Sequence, residues 1–194
     1  TCNFLWMRQD YYEHENPHIP QWPGMDTFGG MLIHAQLRVP NTDYTGKQVL
    51  VIGAGATAAT VIPEFSKQTE HVTMLQRSPT YFFCRGNRNE LADRMREIGF
   101  DEPTIHRVVR AQILYDQDVL TARCKNEPDA VFEELKTLMR RYAGDDFKFD
   151  PHITPRYRPW QQRLAFCPDG DLFQAAGAGK VTVVTDTIET FTET

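Results

Sequence analysis

Residues 47–60, KQVLVIGAGATAAT, join an apolar run to a glycine turn and then to a run of small residues. The run at 48–53, QVLVIG, is what a parallel strand covered on both faces requires. In Gly53-x-Gly55-x-x-Ala58 the first glycine makes a tight turn, and the second lets backbone N–H groups approach a pyrophosphate. The third small residue lets helix and strand pack closely. A helix over 56–67 would start at Ala56 and Thr57, presenting unsatisfied N–H groups and a partial positive charge to phosphates. Pro63 falls inside it, where it removes a donor and bends the helix. The next strand, HVTMLQ at 71–76, completes a βαβ unit, and this context gives the glycine pattern its weight.

The end of that second strand decides between nucleotides. A site for NAD or FAD places an Asp or Glu about 20 residues beyond the glycines to accept from the ribose hydroxyls. This strand runs instead into Arg77 and Ser78. A guanidinium fork suits a phosphate, a hydroxyl adds a donor, and no carboxylate is there to repel a 2′-phosphate. The expectation is NADP rather than NAD, and not FAD at this site.

Outward from this unit, composition narrows the classes. The chain has 194 residues, 41% of them hydrophobic, enough to bury a core. A net charge of −5 supplies no general field for phosphate backbones, so nucleic acid is not an expected partner. No run reaches the roughly 20 apolar residues of a spanning helix. Cys2, Cys84, Cys124 and Cys167 lack the close spacings that put two ligands on one metal. They read as reduced, partly buried thiols of a cytoplasmic protein, with no metal site expected.

Residues 1–7 fit a short strand, and 15–31, with Pro17, Pro20, Pro23 and three glycines, an irregular linker. Leu91, Met95 and Ile98 share a helical face ahead of Gly99. A longer stripe follows from Ile105 through Val109, Ile113 and Leu120 to Cys124, and a third from Val131 to Tyr142. These are two or three helices inserted after the second strand. Beyond them DLFQAAGAG reads as a short helix, KVTVVT as a strand, and TIETFTET as a last strand.

With these residues in place, the chain resembles a known family. FGGMLIHAQLR, residues 28–38, looks like the F-x-G-x-x-x-H-x-x-x-W fingerprint of Baeyer–Villiger monooxygenases, with Arg38 where the fingerprint has Trp. DYTGKQVLVIGAGATA, HVTMLQRSPTY, TPRYRPWQQRL and PDGDLF resemble the bacterial flavin-containing monooxygenases related to the ethionamide-activating enzyme. The matches run in order through essentially the whole chain.

The resemblance implies a Rossmann-like α/β domain with a parallel sheet core and an inserted helical subdomain. The expected division is a linker over 1–46, the first part of the NADP-binding domain over 47–87, and the helical insertion over 88–150. Residues 151–194 would return to the domain and start the linker toward an FAD domain. Both chain ends look cut inside strands, so the sequence reads as a fragment lacking its FAD domain and inactive alone.

The implied chemistry in the intact enzyme uses NADPH, FAD and O2 to insert one oxygen atom beside a ketone carbonyl, giving an ester or lactone. The active-site arginine of relatives follows a Lys or Gln; the match here is Gln161-Gln162-Arg163-Leu164. Arg163 is therefore the catalytic candidate and Gln162 is expected near the nicotinamide. Pairing of Arg163 with Asp169 or Asp171 is the competing structural reading, and Arg156 and Arg158 are rivals for the role. His34 is expected to hydrogen-bond in the hinge between nucleotide domains, and Trp22, Trp160 and Tyr157 to pack. Two other functions stay open: oxygenation of an amine or sulfide, and an NADP-binding module without turnover of its own.

Overall fold

The computed structural model describes residues 2–5, 13, 15–37 and 42–193. Arg38, Tyr11, Tyr12 and the end of the proposed opening strand lie outside these. The chain forms two compact units, Thr1–Asp43 with Thr187–Thr194, and Tyr44–Asp186.

The larger unit is built on strands β1 (Gln48–Ile52), β2 (His71–Gln76) and β5 (Val181–Thr185), all parallel, in the order β1-β2-β5. The register brings Val51, Met74 and Val183 into line. Val72, Met74 and Gln76 turn inward on β2, as do Val181 and Val183 on β5. Helix α1 (Ala56–Ser66) buries Ala58, Ala59, Ile62 and Pro63. Pro63 does sit within this helix, and being buried it replaces a lost backbone donor with apolar contact. Helix α5 (Asp171–Gly177) adds Leu172 and Phe173, the latter edge-on to Phe82 with centroids 5.4 Å apart.

Two strands were not foreseen. Tyr81–Arg85 (β3) and Leu164–Pro168 (β4) form a parallel pair of their own, with Cys84 opposite Cys167. Each is only five residues long, and its partner lies some 80 residues away in sequence, so no local turn signal announces it. Between them lie three helices, α2 (Glu90–Glu97), α3 (Glu102–Asn126) and α4 (Pro128–Ala143). Their starts follow local chemistry. The Asn89 and Asp101 side chains accept from the amides of Ala92 and Thr104, and Pro103 and Pro128 sit in first turns that need no donor. Cys84, Cys124 and Cys167 are buried and Cys2 is exposed, all as free thiols.

In the smaller unit the expected last strand is corrected: its described residues 187–193 carry no regular secondary structure, and neither do residues 2–5. β-Prone residues alone do not make a strand without a neighbouring ladder. The tail is instead held by single contacts. Phe191 donates its N–H to the Pro23 carbonyl over 2.7 Å and packs against Trp22 and Phe28. The Gly29 N–H donates to the carbonyl of Glu193 over 3.0 Å.

Candidate functional site

The glycine turn leaves β1 with Gly53 at φ +128, a conformation in which a side chain would be strained. Its N–H donates to the Leu75 carbonyl over 2.7 Å, which ties the turn to β2 two residues before Arg77. Gly55 precedes α1 with extended backbone and no side chain capping the helix start, so the amides of the first turn are left to the solvent side. Ala56 and Thr57 are exposed there, while Ala58 is buried against the core, which is the packing role its small size allows.

Arg77 and Ser78 follow β2 directly and are exposed. Arg77 makes no ion pair among the described residues. Arg163, just before β4, reaches back toward the same turn: its Nη2 lies 3.9 Å from where a Cβ on Gly55 would stand. The alternative partners are otherwise engaged. Asp169 accepts from the Asn87 amide over 2.9 Å, and Asp171 accepts from its own neighbour Leu172 and from the Cys167 thiol. Arg163 thus belongs to the glycine-turn side of the molecule. Gln162 is exposed beside it, and Trp160 is held at φ +64. Such backbone strain in a non-glycine residue costs on the order of 1–3 kcal/mol and is concentrated at functional loops. Trp160, expected to pack, is instead 43% exposed, while Trp22 and Tyr157 do pack, on Phe191 and Tyr81.

One feature of the site escaped the sequence. Gln76 is buried at the end of β2, donating from Nε2 to the His152 carbonyl and, over 2.9 Å, to Thr185 Oγ1. Thr185 also meets His152 Nδ1 at 3.0 Å. The loop returning from the helices is thereby fastened next to Arg77. A polar residue on the inward side of the Val72, Met74, Gln76 alternation was the available signal.

In the smaller unit, His34 Nδ1 accepts from the Gln36 amide over 3.2 Å, capping the single 3₁₀ turn Ala35–Leu37. A Cβ on Gly30 would stand 2.4 Å from the Phe28 ring, so the pairing of Phe28 with Gly30 has a packing basis. An open cavity of about 410 Å³, lined by residues including Phe83, Cys84, Arg85, Asp116, Arg141 and Tyr142, includes none of Gly53, Gly55, Arg77, Ser78, Gln162 and Arg163. No group of three or more His, Cys, Asp or Glu among the described residues is arranged to hold a metal. No helix among them is long and apolar enough to cross a membrane.

These features define a Rossmann-type α/β fold with a parallel sheet core and a helical insertion. Residues 11–96 match the flavin-binding monooxygenase-like family, and the resemblance to FAD-containing monooxygenases runs through the whole chain. The chain is 37% identical over 195 residues to the FAD-containing monooxygenase EthA of Mycobacterium tuberculosis, covering all of this chain and 40% of that protein. It is 40% identical over 196 residues to the probable FAD-binding monooxygenase AlmA of Acinetobacter baylyi, covering all of this chain and 39% of that protein. In fold it is similar to an oxidized steroid monooxygenase bound to NADP, with a TM-score of 0.57 at 21% identity over 88% of this chain and 38% of the other. The chain thus spans about two fifths of the length of the curated relatives it matches.

Proposed function

We propose that this chain is the NADP-binding part of a flavin-dependent monooxygenase that uses NADPH and O2 to convert a ketone into an ester or lactone. The observation that carries the nucleotide reading is the bond from Gly53 to Leu75, which sets the glycine turn beside Arg77 and Ser78. Gly53, Gly55, Ala56, Thr57 and Ala58 would hold the pyrophosphate, and Arg77 with Ser78 the 2′-phosphate. The residues fit that group: bare amides, a glycine in a conformation closed to other residues, and an arginine with no carboxylate partner among the described residues. When bound, NADPH supplies the hydride and FAD, held in a separate domain, the activation of oxygen.

Arg163 has a permanent charge and would stabilise the negative charge that develops on a substrate carbonyl oxygen. Gln162 would orient the nicotinamide end, and His34 would keep the hinge in register. The division into a linker (1–46), a nucleotide domain opening over 47–87, an insertion (88–150) and a return over 151–194 that also starts the linker to the FAD domain belongs to the same reading.

Calorimetric titration of the chain with NADPH and NADH tests the nucleotide site. NADPH is expected to bind more tightly, and Arg77→Ala to weaken it about 10- to 30-fold with little effect on NADH. Equal affinity for the two nucleotides would remove the role given to Arg77 and Ser78. In the full-length enzyme, Arg163→Ala is expected to abolish ester formation from a ketone. Retained amine or sulfide oxygenation with no native ketone activity would favour the heteroatom reading instead.

A further inference from the structure

Helix α3 is 25 residues long, about 37 Å at 1.5 Å per residue, yet its only buried residues are Ile105 and Cys124 near its two ends. Ile105 and Val109 pack with Ala92 and Met95 of α2, whereas Leu120 and Cys124 join the main core alongside α4. The other side of the helix is bare. It carries Val108, Ala111, Tyr115, Val119 and Ala122 at spacings of three and four, with Val108 41%, Tyr115 67% and Val119 40% exposed. Leu114, 50% exposed, extends this stripe on one flank. A continuous apolar stripe on a helix is a contact surface.

We propose that a second copy of this chain covers it, the two α3 helices lying antiparallel across a two-fold axis. The charges on the Leu114 flank argue for that occupant and that direction. Arg107 and Asp118 stand on this flank about three turns apart, and neither has an oppositely charged partner among the described residues. An axis crossing between Gln112 and Ile113 sets Arg107 of each copy opposite Asp118 of the other, twice by symmetry. A parallel, in-register pair would place like charges together.

The same axis also solves the packing. It brings Tyr115 of one copy into the gap between Val108 and Ala111 of the other, and Val108 into the gap between Tyr115 and Val119. The two stripes then interleave as knobs into holes, with the small Ala111 leaving room for the tyrosine ring. Exposed ion pairs contribute little affinity, so the apolar stripe holds the pair and the charges set its direction.

Sedimentation of the chain across a concentration series reads the proposal. A monomer–dimer equilibrium is expected, weakened at least about tenfold by Tyr115→Glu, by Arg107→Asp and by Asp118→Arg. The double variant Arg107→Asp/Asp118→Arg is expected to recover dimerisation to within about threefold of the parent, since it restores opposite charges across the axis. Circular dichroism confirms that each variant keeps the parent's helix content. A parent that stays monomeric, or a double variant as weak as the single ones, overturns the proposal. So does binding to anionic lipid vesicles that Tyr115→Glu abolishes while sedimentation is unchanged.

Discussion

The amide of Gly53 donates to the carbonyl of Leu75, so the turn at the end of β1 and the strand that delivers Arg77 move as one piece. A Cβ on Gly53 would meet nothing within 4 Å, yet the residue's φ of +128 strains any side chain. Gly53→Ala is therefore expected to cost about 1–2 kcal/mol through backbone conformation alone. Urea unfolding checks this; an unchanged midpoint would mean that the turn relaxes freely.

Gln76 gives a second prediction. Its Nε2 serves the His152 carbonyl and the Thr185 hydroxyl at once, while its Oε1 has no partner among the described residues. Gln76→Ala takes their shared donor from the carbonyl and the hydroxyl, leaving Thr185 only its contact with His152 Nδ1, and is expected to destabilise by about 1–3 kcal/mol. Because that loop is fastened beside Arg77, hydrogen exchange at residues 150–155 is expected to rise more than exchange in α2. Uniform acceleration throughout the larger unit would argue against a local tether.

Acid and alkali act on different groups. Hydrogen bonds and charge from Arg96 hold Glu102 below its usual range, Arg123 does the same to Glu134, and hydrogen bonds from Thr104 lower Asp101. Stability from these carboxylates is complete above their unfolded values near 4, and it is lost as pH falls through the lower folded values. All three are on the surface, so the loss is expected to be modest and to appear first as fraying of α3 and α4 by circular dichroism below pH 4. Tyr81 behaves oppositely. Burial, with Tyr157, Asp129 and Cys124 nearby, pushes its hydroxyl up to about 12. Its contribution is present below pH 10 and disappears as pH climbs toward 12, a step that Tyr81→Phe is expected to remove from an alkaline titration of stability.

The thiols offer a simple count. Only Cys2 is exposed, so a thiol reagent is expected to label one cysteine in the native chain and four in denaturant. The hydrogen bond with Cys167, and burial after it, push the Cys84 thiol up from its ordinary range, which keeps it unreactive. Rapid native labelling of more than one thiol would contradict the burial of Cys84 and Cys167 between β3 and β4 or of Cys124 on α3.

What the sequence made legible were the elements whose signal is local. Strands β1, β2 and β5 announce themselves as apolar runs, the glycine turn by its spacing, and α2 to α4 by their stripes and terminal residues. Strands β3 and β4 were hidden because each depends on the other across the whole helical insertion. The tail misled for the converse reason: Thr187–Thr194 is rich in β-prone threonines, but its described residues find Trp22, Phe28 and Pro23 rather than a strand. Within the candidate site, Arg77 and Ser78 followed from position after a strand. The closeness of Arg163 to Gly55 depends on tertiary folding, and only the family resemblance pointed to that arginine.

The loop between α4 and β4 is fastened at His152 to the end of β2, and at Tyr157, through its carbonyl, to the hydroxyl of Tyr81 at the start of β3. It then delivers Arg163. The two cations on the glycine-turn side, Arg77 and Arg163, therefore rise from a common frame whose main-chain separation is set by these two rivets. On the reading proposed above, a ligand held by both would be gauged by its length as well as by its charge, as between the jaws of a calliper.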